Sequence, residues 1–113
     1  MGNIIVDTNT LPSKIINNVK YKFIFDESTG AKYLIMRIAE IPPGGSVPKH
    51  IHEDEEQVYL ILEGEGIVII DGKKYRVRKG YAVYIPMNAV HEVINDSSTT
   101  LKYVFFNAKV RKC

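Results

Sequence analysis

The chain has 113 residues, 45% of them hydrophobic and 25% charged, with a formal net charge of +2 from 15 basic and 13 acidic residues. This length and composition suit a globular protein, and we expect residues 1–113 to form a single domain. The near balance of charge argues against nucleic acid as the main partner. No secretory signal is recognisable, and no apolar stretch approaches the roughly 20 residues that span a bilayer. We therefore expect no membrane partner and a cytoplasmic location.

Short β-branched and aromatic runs, divided by turn residues, follow one another along the chain, and hardly any stretch carries a helical period. This pattern predicts an all-β barrel or sandwich of about nine or ten strands with little or no helix. In chain order the predicted strands are Asn3–Val6, Val19–Phe25, Lys32–Ile41, an extended segment at His50–His52, Gln57–Leu62, Ile67–Ile70, Lys73–Arg78, Tyr81–Ile85, Val90–Ile94 and Thr100–Asn107. Two predicted turns are Asp26–Gly30 and Asp71-Gly72, of which the second favours a two-residue hairpin.

The residue pattern within individual strands bears on partners. In Lys73–Arg78 the basic side chains alternate with Tyr75 and Val77, which favours a strand with one solvated and one buried face over a nucleic-acid site. The strands Gln57–Leu62 and Ile67–Ile70 are instead largely apolar on both faces. Two packed sheets bury one face, and a subunit interface is needed to cover the other. We therefore predict a homodimer, with the N-terminal strands of residues 3–25 in its interface.

The three histidines suggest a metal site. His50 and His52 are two residues apart, so on an extended strand they point to the same side with Cα atoms roughly 6.5–7 Å apart. Two such imidazoles can bind one ion, although a His-x-His pair alone is equally consistent with coincidence at the surface. The third, His91, lies five residues after Pro86 at the start of another apolar strand. Two distant strands of a barrel can thus present all three imidazoles to one cavity.

The spacing of these residues resembles the two motifs of the cupin family. The resemblance covers roughly residues 32–107, with the first motif at about 44–64 and the second at about 80–95. The matching residues are Gly44, His50, His52, Gln57 and Gly64 in the first motif, and Gly80, Pro86, Asn88, His91 and Asn95 in the second. The resemblance implies a jelly-roll barrel of the RmlC-like type. It also implies one divalent metal ion (Mn, Fe, Ni, Co or Zn) bound by His50, His52, Gln57 and His91.

Two positions depart from the family pattern. Asn88 stands where the family usually has Gly, and Asn is the residue that best tolerates a positive φ in place of Gly. At the fourth ligand position the family usually has Glu. Counting back from Gly64 selects Gln57, whereas counting forward from His52 selects Glu56. We favour Gln57, because it shares a strand face with the apolar side chains while Glu56 belongs to an acidic turn.

The expected ligand follows from the charge of the site. A neutral Gln57 leaves the full +2 charge on the ion, which favours anionic ligands such as a small acid or a hydroxy-ketone that chelates the metal. Two functions remain open. One is a metalloenzyme (dioxygenase, isomerase, lyase or decarboxylase) acting on a small oxygenated or carboxylate-bearing molecule. The other is a non-catalytic, metal-dependent binding or sensor protein; a barrel that has lost its metal is a third, less favoured reading.

The catalytic residues are not identified by the sequence, but three side chains are candidates. Tyr59 and Tyr103 could act as weak acids in the cavity, although an aromatic residue in a barrel strand more often fills the core. Arg37 lies in an otherwise apolar strand and could either meet a substrate carboxylate or point outward. The ligand set also resembles that of uronate ring-opening cupins, whose last strand carries an acidic residue that Leu101–Phe106 lacks. The one cysteine, Cys113, is not expected to be catalytic.

Overall fold

Two antiparallel sheets make up the protein in the computed structural model, which describes residues 4–109. The larger sheet has the strand order β1-β2-β3-β10-β5-β8 and the smaller sheet the order β4-β9-β6-β7. The ten strands are β1 (Lys14–Ile16), β2 (Val19–Phe25), β3 (Leu34–Ile41), β4 (Ser46–Ile51), β5 (Glu55–Glu63), β6 (Glu65–Ile70), β7 (Lys73–Arg78), β8 (Ala82–Ile85), β9 (Val90–Ile94) and β10 (Leu101–Lys109). The predicted all-β jelly-roll class is confirmed.

The predicted strands correspond to observed ones with a single exception. Three have the predicted bounds, and the ends of the other predicted strands after residue 30 lie within two residues of the observed ends, apart from the extended segment at residues 50–52, which belongs to the longer β4. The exception is Asn3–Val6. Asn3 lies outside the described residues, as does Cys113, and residues 4–6 are not in a strand. Val6 instead packs against a small apolar cluster on the outer face of the larger sheet.

The sequence analysis missed β1, which pairs with β2 through a hairpin. Ile16 lies opposite Val19, so the connection has only two residues, Asn17 and Asn18. Both have positive φ, 50° and 67°. This is the backbone that a two-residue type I′ turn requires, and Asn tolerates it better than other residues with a side chain. The Asn-Asn pair was the signal for this hairpin.

The predicted turn at Asp26–Gly30 contains a short 3-10 helix, Glu27–Thr29. The Asp26 side chain accepts a hydrogen bond from the backbone N–H of Ser28, and the Thr29 hydroxyl accepts one from the backbone N–H of Asp26. The Asp26 carboxylate also accepts a hydrogen bond from the Ser28 hydroxyl, and this bond is the largest cause of its lowered pKa. In residues 4–109 no helix has the length and apolar character needed to cross a membrane.

The main core lies between the two sheets. Alternate residues of each strand point inward, as the period of two along a strand dictates. The larger sheet contributes fully buried aliphatic side chains, among them Ile41, Ile61 and Leu101, and the smaller sheet contributes Val68 and Val93. This packing fixes the separation of the sheets and leaves room for a cavity where polar side chains replace the aliphatic ones.

The basic strand β7 lies at the edge of the smaller sheet. Arg76 donates a hydrogen bond of 2.7 Å to Asp96 and lies 3.4 Å from Glu65. At least one basic side chain of β7 is therefore paired with carboxylates. Val77 is buried as predicted, but Tyr75, two residues earlier on the same face of the strand, is 42% exposed. The alternation therefore holds for Val77 and fails for Tyr75.

Candidate metal centre and ligand cavity

The three histidines lie together, and two of them, His50 and His52, line a cavity of about 470 Å³. His50 on β4 lies directly opposite His91 on β9, and their ring centroids are 4.0 Å apart. His52 follows the end of β4, with ring centroids 5.0 Å from His50 and 5.6 Å from His91. One nitrogen from each ring lies within 4.8 Å of the other two. Two nitrogens bound to one ion by bonds of 2.0–2.1 Å are roughly 3–3.5 Å apart. Small movements of the rings therefore suffice to bring the three nitrogens to one ion.

Backbone contacts determine which ring nitrogen of two histidines is free. His50 Nδ1 lies 2.8 Å from the carbonyl oxygen of Pro48, and His91 Nδ1 lies 3.0 Å from that of Ala89. A carbonyl oxygen only accepts, so both Nδ1 atoms must carry the proton and donate it. Each Nε2 then presents a lone pair, the arrangement commonly found for metal-binding histidines.

The loop before β9 holds His52 in position. Asn88 has φ +68°, as expected for a residue standing where the family has Gly. Its backbone N–H donates to the carbonyl oxygen of His52 at 2.9 Å. The loop that carries His52 is thus joined by a backbone hydrogen bond to the loop that leads into β9 and His91.

Burial favours the neutral form of two histidines. It lowers the pKa of His52, where the Glu55 carboxylate opposes the shift and His50 adds to it. It also lowers the pKa of His91, where the hydrogen bond to Ala89 opposes the shift and the other histidines add to it. The neutral form is the one that binds a metal ion.

Gln57 and Glu56 point to opposite faces of the larger sheet. Glu56 is exposed and accepts a hydrogen bond of 2.6 Å from the Tyr84 hydroxyl, which raises the pKa of Tyr84. Gln57 is only 4% exposed and forms part of the cavity wall. Its Nε2 donates to Oδ1 of Asn107 at 2.8 Å. Its Oε1 is left without a hydrogen-bond partner.

Two buried atoms without hydrogen-bond partners indicate whether these side chains suit a metal ion. Gln57 Oε1 and His91 Nε2 are buried, and neither has a hydrogen-bond partner. A buried polar atom without a partner is unfavourable by about 1–3 kcal/mol, so such atoms usually indicate a missing ligand, ion or water. Both atoms carry lone pairs, and imidazole nitrogen with amide oxygen is a suitable set for a first-row divalent ion. The residues fit the group that the resemblance implied.

Arg37 belongs to the inner face of the larger sheet. In the strand register Phe23 lies opposite Arg37, Arg37 opposite Phe105, and Phe105 opposite Tyr59, and all four side chains line the cavity. The guanidinium carbon lies 4.5 Å from the centroid of the Phe23 ring. Its Nη2 is 3.7 Å from Asp26, and its Nε is buried without a partner. The cavity therefore has a cation in its wall with a free hydrogen-bond donor.

Tyr59 and Tyr103 lie side by side in the same wall, with ring centroids 4.8 Å apart. They are 3% and 2% exposed. Burial raises the pKa of both hydroxyls, and a neighbouring tyrosine raises each pKa further. Both groups are consequently protonated near neutral pH, so they can donate hydrogen bonds to a ligand but are poor bases.

Sequence reasoning did not single out Asn107 or Glu55. Asn107 Nδ2 donates to Glu55 Oε1 at 2.8 Å, which continues the hydrogen-bond chain from Gln57. The signal for Asn107 was its parity: it is two and four residues beyond Phe105 and Tyr103, so it shares their inward face. A polar residue at such a position in an apolar strand indicates a polar partner across the sheet.

A two-sheet barrel with three converging histidines, beside a cavity lined in part by aromatic side chains, defines a jelly-roll protein with a candidate metal centre. The sequence model described as "Cupin domain" matches residues 37–107. The chain belongs to the cupin family.

Relatives of known name share only part of their length with this chain. The dimethylsulfoniopropionate lyase of Ruegeria pomeroyi is 44% identical over 61 residues, which are 54% of this chain and 40% of that protein. The oxalate-binding protein of Thermotoga maritima is 34% identical over 65 residues, which are 58% of this chain and 54% of that protein. The chain thus spans about half the length of these relatives.

Solved structures show the same fold over nearly the whole chain. The crystal structure of a predicted oxalate decarboxylase from Thermotoga maritima superposes with a TM-score of 0.87, covering 95% of this chain and 100% of that chain. The sequences are 24% identical, so the likeness concerns the fold alone. An RmlC-like cupin from Shewanella frigidimarina gives a TM-score of 0.82 at 18% identity, covering 98% of this chain and 95% of that chain.

Proposed function

We propose that this protein is a metalloenzyme that acts on a small acid chelated to a divalent ion held by His50, His52, His91 and Gln57. The observation that carries the proposal is the convergence of three imidazole nitrogens within 4.8 Å, together with a buried, partnerless amide oxygen on Gln57, which lines the same cavity as His50 and His52. Relatives named for lyase, oxalate-binding and dioxygenase functions support a reaction or binding event at a small oxygenated molecule.

The residues around the site have separate tasks. A bound divalent ion would polarise ligand oxygens and lower the pKa of bound water. The protonated Tyr59 and Tyr103 hydroxyls stabilise negative charge on a ligand by donating hydrogen bonds. The rings of Phe23 and Phe105 provide flat apolar surfaces against the carbon skeleton of the ligand and reduce the water in the cavity.

A carboxylate-bearing ligand matches the charges of the cavity. The fourth donor, Gln57, is neutral, so the centre keeps the full charge of its ion. Arg37 and Lys49 add positively charged side chains to the cavity wall, and the buried Nε of Arg37 has no acceptor although its Nη2 lies 3.7 Å from Asp26. The cavity lining in the described part of the chain contains no carboxylate. Two relatives, an oxalate-binding protein and a dimethylsulfoniopropionate lyase, are each named for a small molecule that carries a carboxylate.

The second candidate function is a metal-dependent binding protein without catalysis. The observation in its favour is that the cavity wall of the described residues offers no carboxylate and that, apart from the histidines and Lys49, its proton-transfer groups are tyrosines with raised pKa. Metal content after mild purification should be measured first. Reconstitution with Mn, Fe, Ni, Co and Zn, followed by a screen of small acids for product formation and oxygen consumption, separates the two functions. An enzyme converts an acid that it binds, whereas a binding protein only retains it.

Substitution of Arg37 by Gln is expected to weaken binding of a dicarboxylate to the metal-loaded protein about tenfold or more. The loss reflects one charge-assisted hydrogen bond in a partly buried site. Calorimetric titration with oxalate, malonate, succinate and glutarate measures the effect on the acid that the wild type binds most tightly. Acetate binding and metal affinity should change less than about threefold. The matched control is Arg76→Gln on the smaller sheet; equal losses in both variants would contradict a specific role for Arg37.

A second copy of the chain is proposed to cover the outer face of the larger sheet. Val58, Leu60, Tyr84 and Phe106 are neighbours there and are 36–55% exposed. Val6 and Leu11 pack beside this surface, so residues 3–25 would contribute to the same interface. Light scattering is expected to give twice the 12.8 kDa chain mass. Leu60→Lys should reduce it to one chain mass, whereas Tyr75→Lys on the other sheet should not.

A further inference from the structure

We propose that Asn107, held by Glu55, is a positioning residue that sets the orientation of the Gln57 side-chain amide and so directs its oxygen into the candidate metal centre. The inference rests on the proposed function, because Gln57 is taken as the fourth metal ligand. It concerns a different question, namely how a side chain with one nitrogen and one oxygen presents the correct atom to the ion.

The three residues form a continuous hydrogen-bond chain on neighbouring strands. Asn107 on β10 lies directly opposite Gln57 on β5. Glu55 precedes Gln57 by two residues, so its side chain is on the same face. The two bonds, Gln57 Nε2 to Asn107 Oδ1 and Asn107 Nδ2 to Glu55 Oε1, both measure 2.8 Å. Gln57 and Asn107 are 4% and 5% exposed, so water does not compete for these groups.

The direction of the chain follows from Glu55. Its carboxylate has only acceptors, so the Asn107 group that faces it must be the Nδ2 donor. Oδ1 of Asn107 then faces Gln57 and can only accept, so Gln57 must turn its Nε2 toward β10. Its Oε1 is thereby left to face the cavity, where it has no partner. The Glu55 carboxylate thus determines the orientation of the Gln57 amide.

The same chain connects the fourth donor with a histidine. Glu55 Oε1 lies 3.8 Å from Nδ1 of His52. One carboxylate therefore contacts the ring of one candidate ligand directly and fixes the other through Asn107. Partners behind the metal ligands typically change metal affinity by about 10–100-fold when they are removed. The role of Asn107 should be of this size.

A carboxylate at position 57 would not need this positioning, because its two oxygens are equivalent. This difference allows a test by double-mutant cycle with Asn107→Leu, which has a similar volume, and Gln57→Glu. The effect of Gln57→Glu on the charge of the site, and the effect of Asn107→Leu on packing, occur in both halves of the cycle and cancel. What remains is the contribution of Asn107 that depends on an amide at position 57.

Zinc binding to the metal-free proteins, measured by calorimetry, is the readout. We expect Asn107→Leu to weaken zinc affinity about tenfold or more when residue 57 is Gln, and by less than about threefold when it is Glu. Equal losses in the two backgrounds would overturn the positioning role. If the wild type binds no zinc or other divalent ion, the proposed function fails instead, and this outcome is distinct from an additive cycle.

Nuclear magnetic resonance on the wild type tests the orientation without any substitution. The Gln57 side-chain NH2 protons should be protected from hydrogen exchange and should show nuclear Overhauser effects to β10, before and after zinc is added. Effects from these protons to the rings of His50 and His91 would mean that the nitrogen faces the site, and would overturn the inference. This measurement remains decisive if Asn107→Leu does not fold.

Discussion

His91→Ala is expected to lower the affinity for a divalent ion by more than about 100-fold, beyond the range found for residues behind the ligands. His91 lies directly opposite His50 across two strands and is 1% exposed, so no other side chain can move into its place without breaking the sheet. Calorimetric titration and metal analysis after dialysis are the measurements. The chain has only three histidines, so any imidazole–metal signal in a spectrum must come from this site.

Loss of metal should not be accompanied by general unfolding. The truncation leaves a cavity, which destabilises the protein, but it also removes a buried Nε2 that has no partner in the metal-free state. These effects oppose each other, so thermal unfolding of the metal-free variant should resemble that of the wild type. Glu92→Gln, next along β9, is the matched control and should retain the ion. A variant that stays folded and binds metal as tightly as the wild type would refute the site.

Most of the fold could be predicted because the signals for it are local. The runs Val19–Phe25, Lys73–Arg78 and Val90–Ile94 are short, contain β-branched or aromatic residues and are bounded by turn residues, which favours strands. Asp71-Gly72 favours a hairpin whatever the rest of the chain does. The observed φ values there, 48° and 81°, are those of the predicted turn. The spacing of His50 and His52 is local in the same sense, since two residues on a strand share a face.

What could not be predicted depends on strand register between distant parts of the chain. The hydrogen bond between Gln57 and Asn107 joins residues 50 positions apart. Sequence periodicity assigns each residue to a face, but it does not say which residue of another strand lies opposite. The face of Arg37 stayed open for a different reason: its strand is apolar on both sides of it, so no alternation assigns a face, and only the register places it beside Phe23 and Phe105. Asn107 and Arg37 thus owe their neighbours to long-range strand pairing rather than to a local sequence pattern.

Gly64→Ala is expected to destabilise the protein by about 3 kcal/mol or more, through strain and close approach together. Gly64 lies between β5 and β6, where the chain passes from the larger sheet to the smaller one. Its φ is +82°, and an added Cβ would lie 2.3 Å from the carbonyl oxygen of Thr100, just before β10. Because that atom is backbone, relief requires movement of β10 relative to β5. Urea denaturation measures the loss.

A second glycine separates the two causes. Gly72 has φ +81°, almost the same as Gly64, but an added Cβ there meets nothing within 4 Å. Gly72→Ala therefore carries only the cost of the left-handed backbone, about 1–2 kcal/mol. The difference between the variants measures how tightly the chain passes β10, the strand that also carries Asn107. If the two substitutions destabilise equally, the close approach at Gly64 is not what fixes the two strands, and the register that supports Gln57 must be maintained by the rest of the β5–β10 pairing.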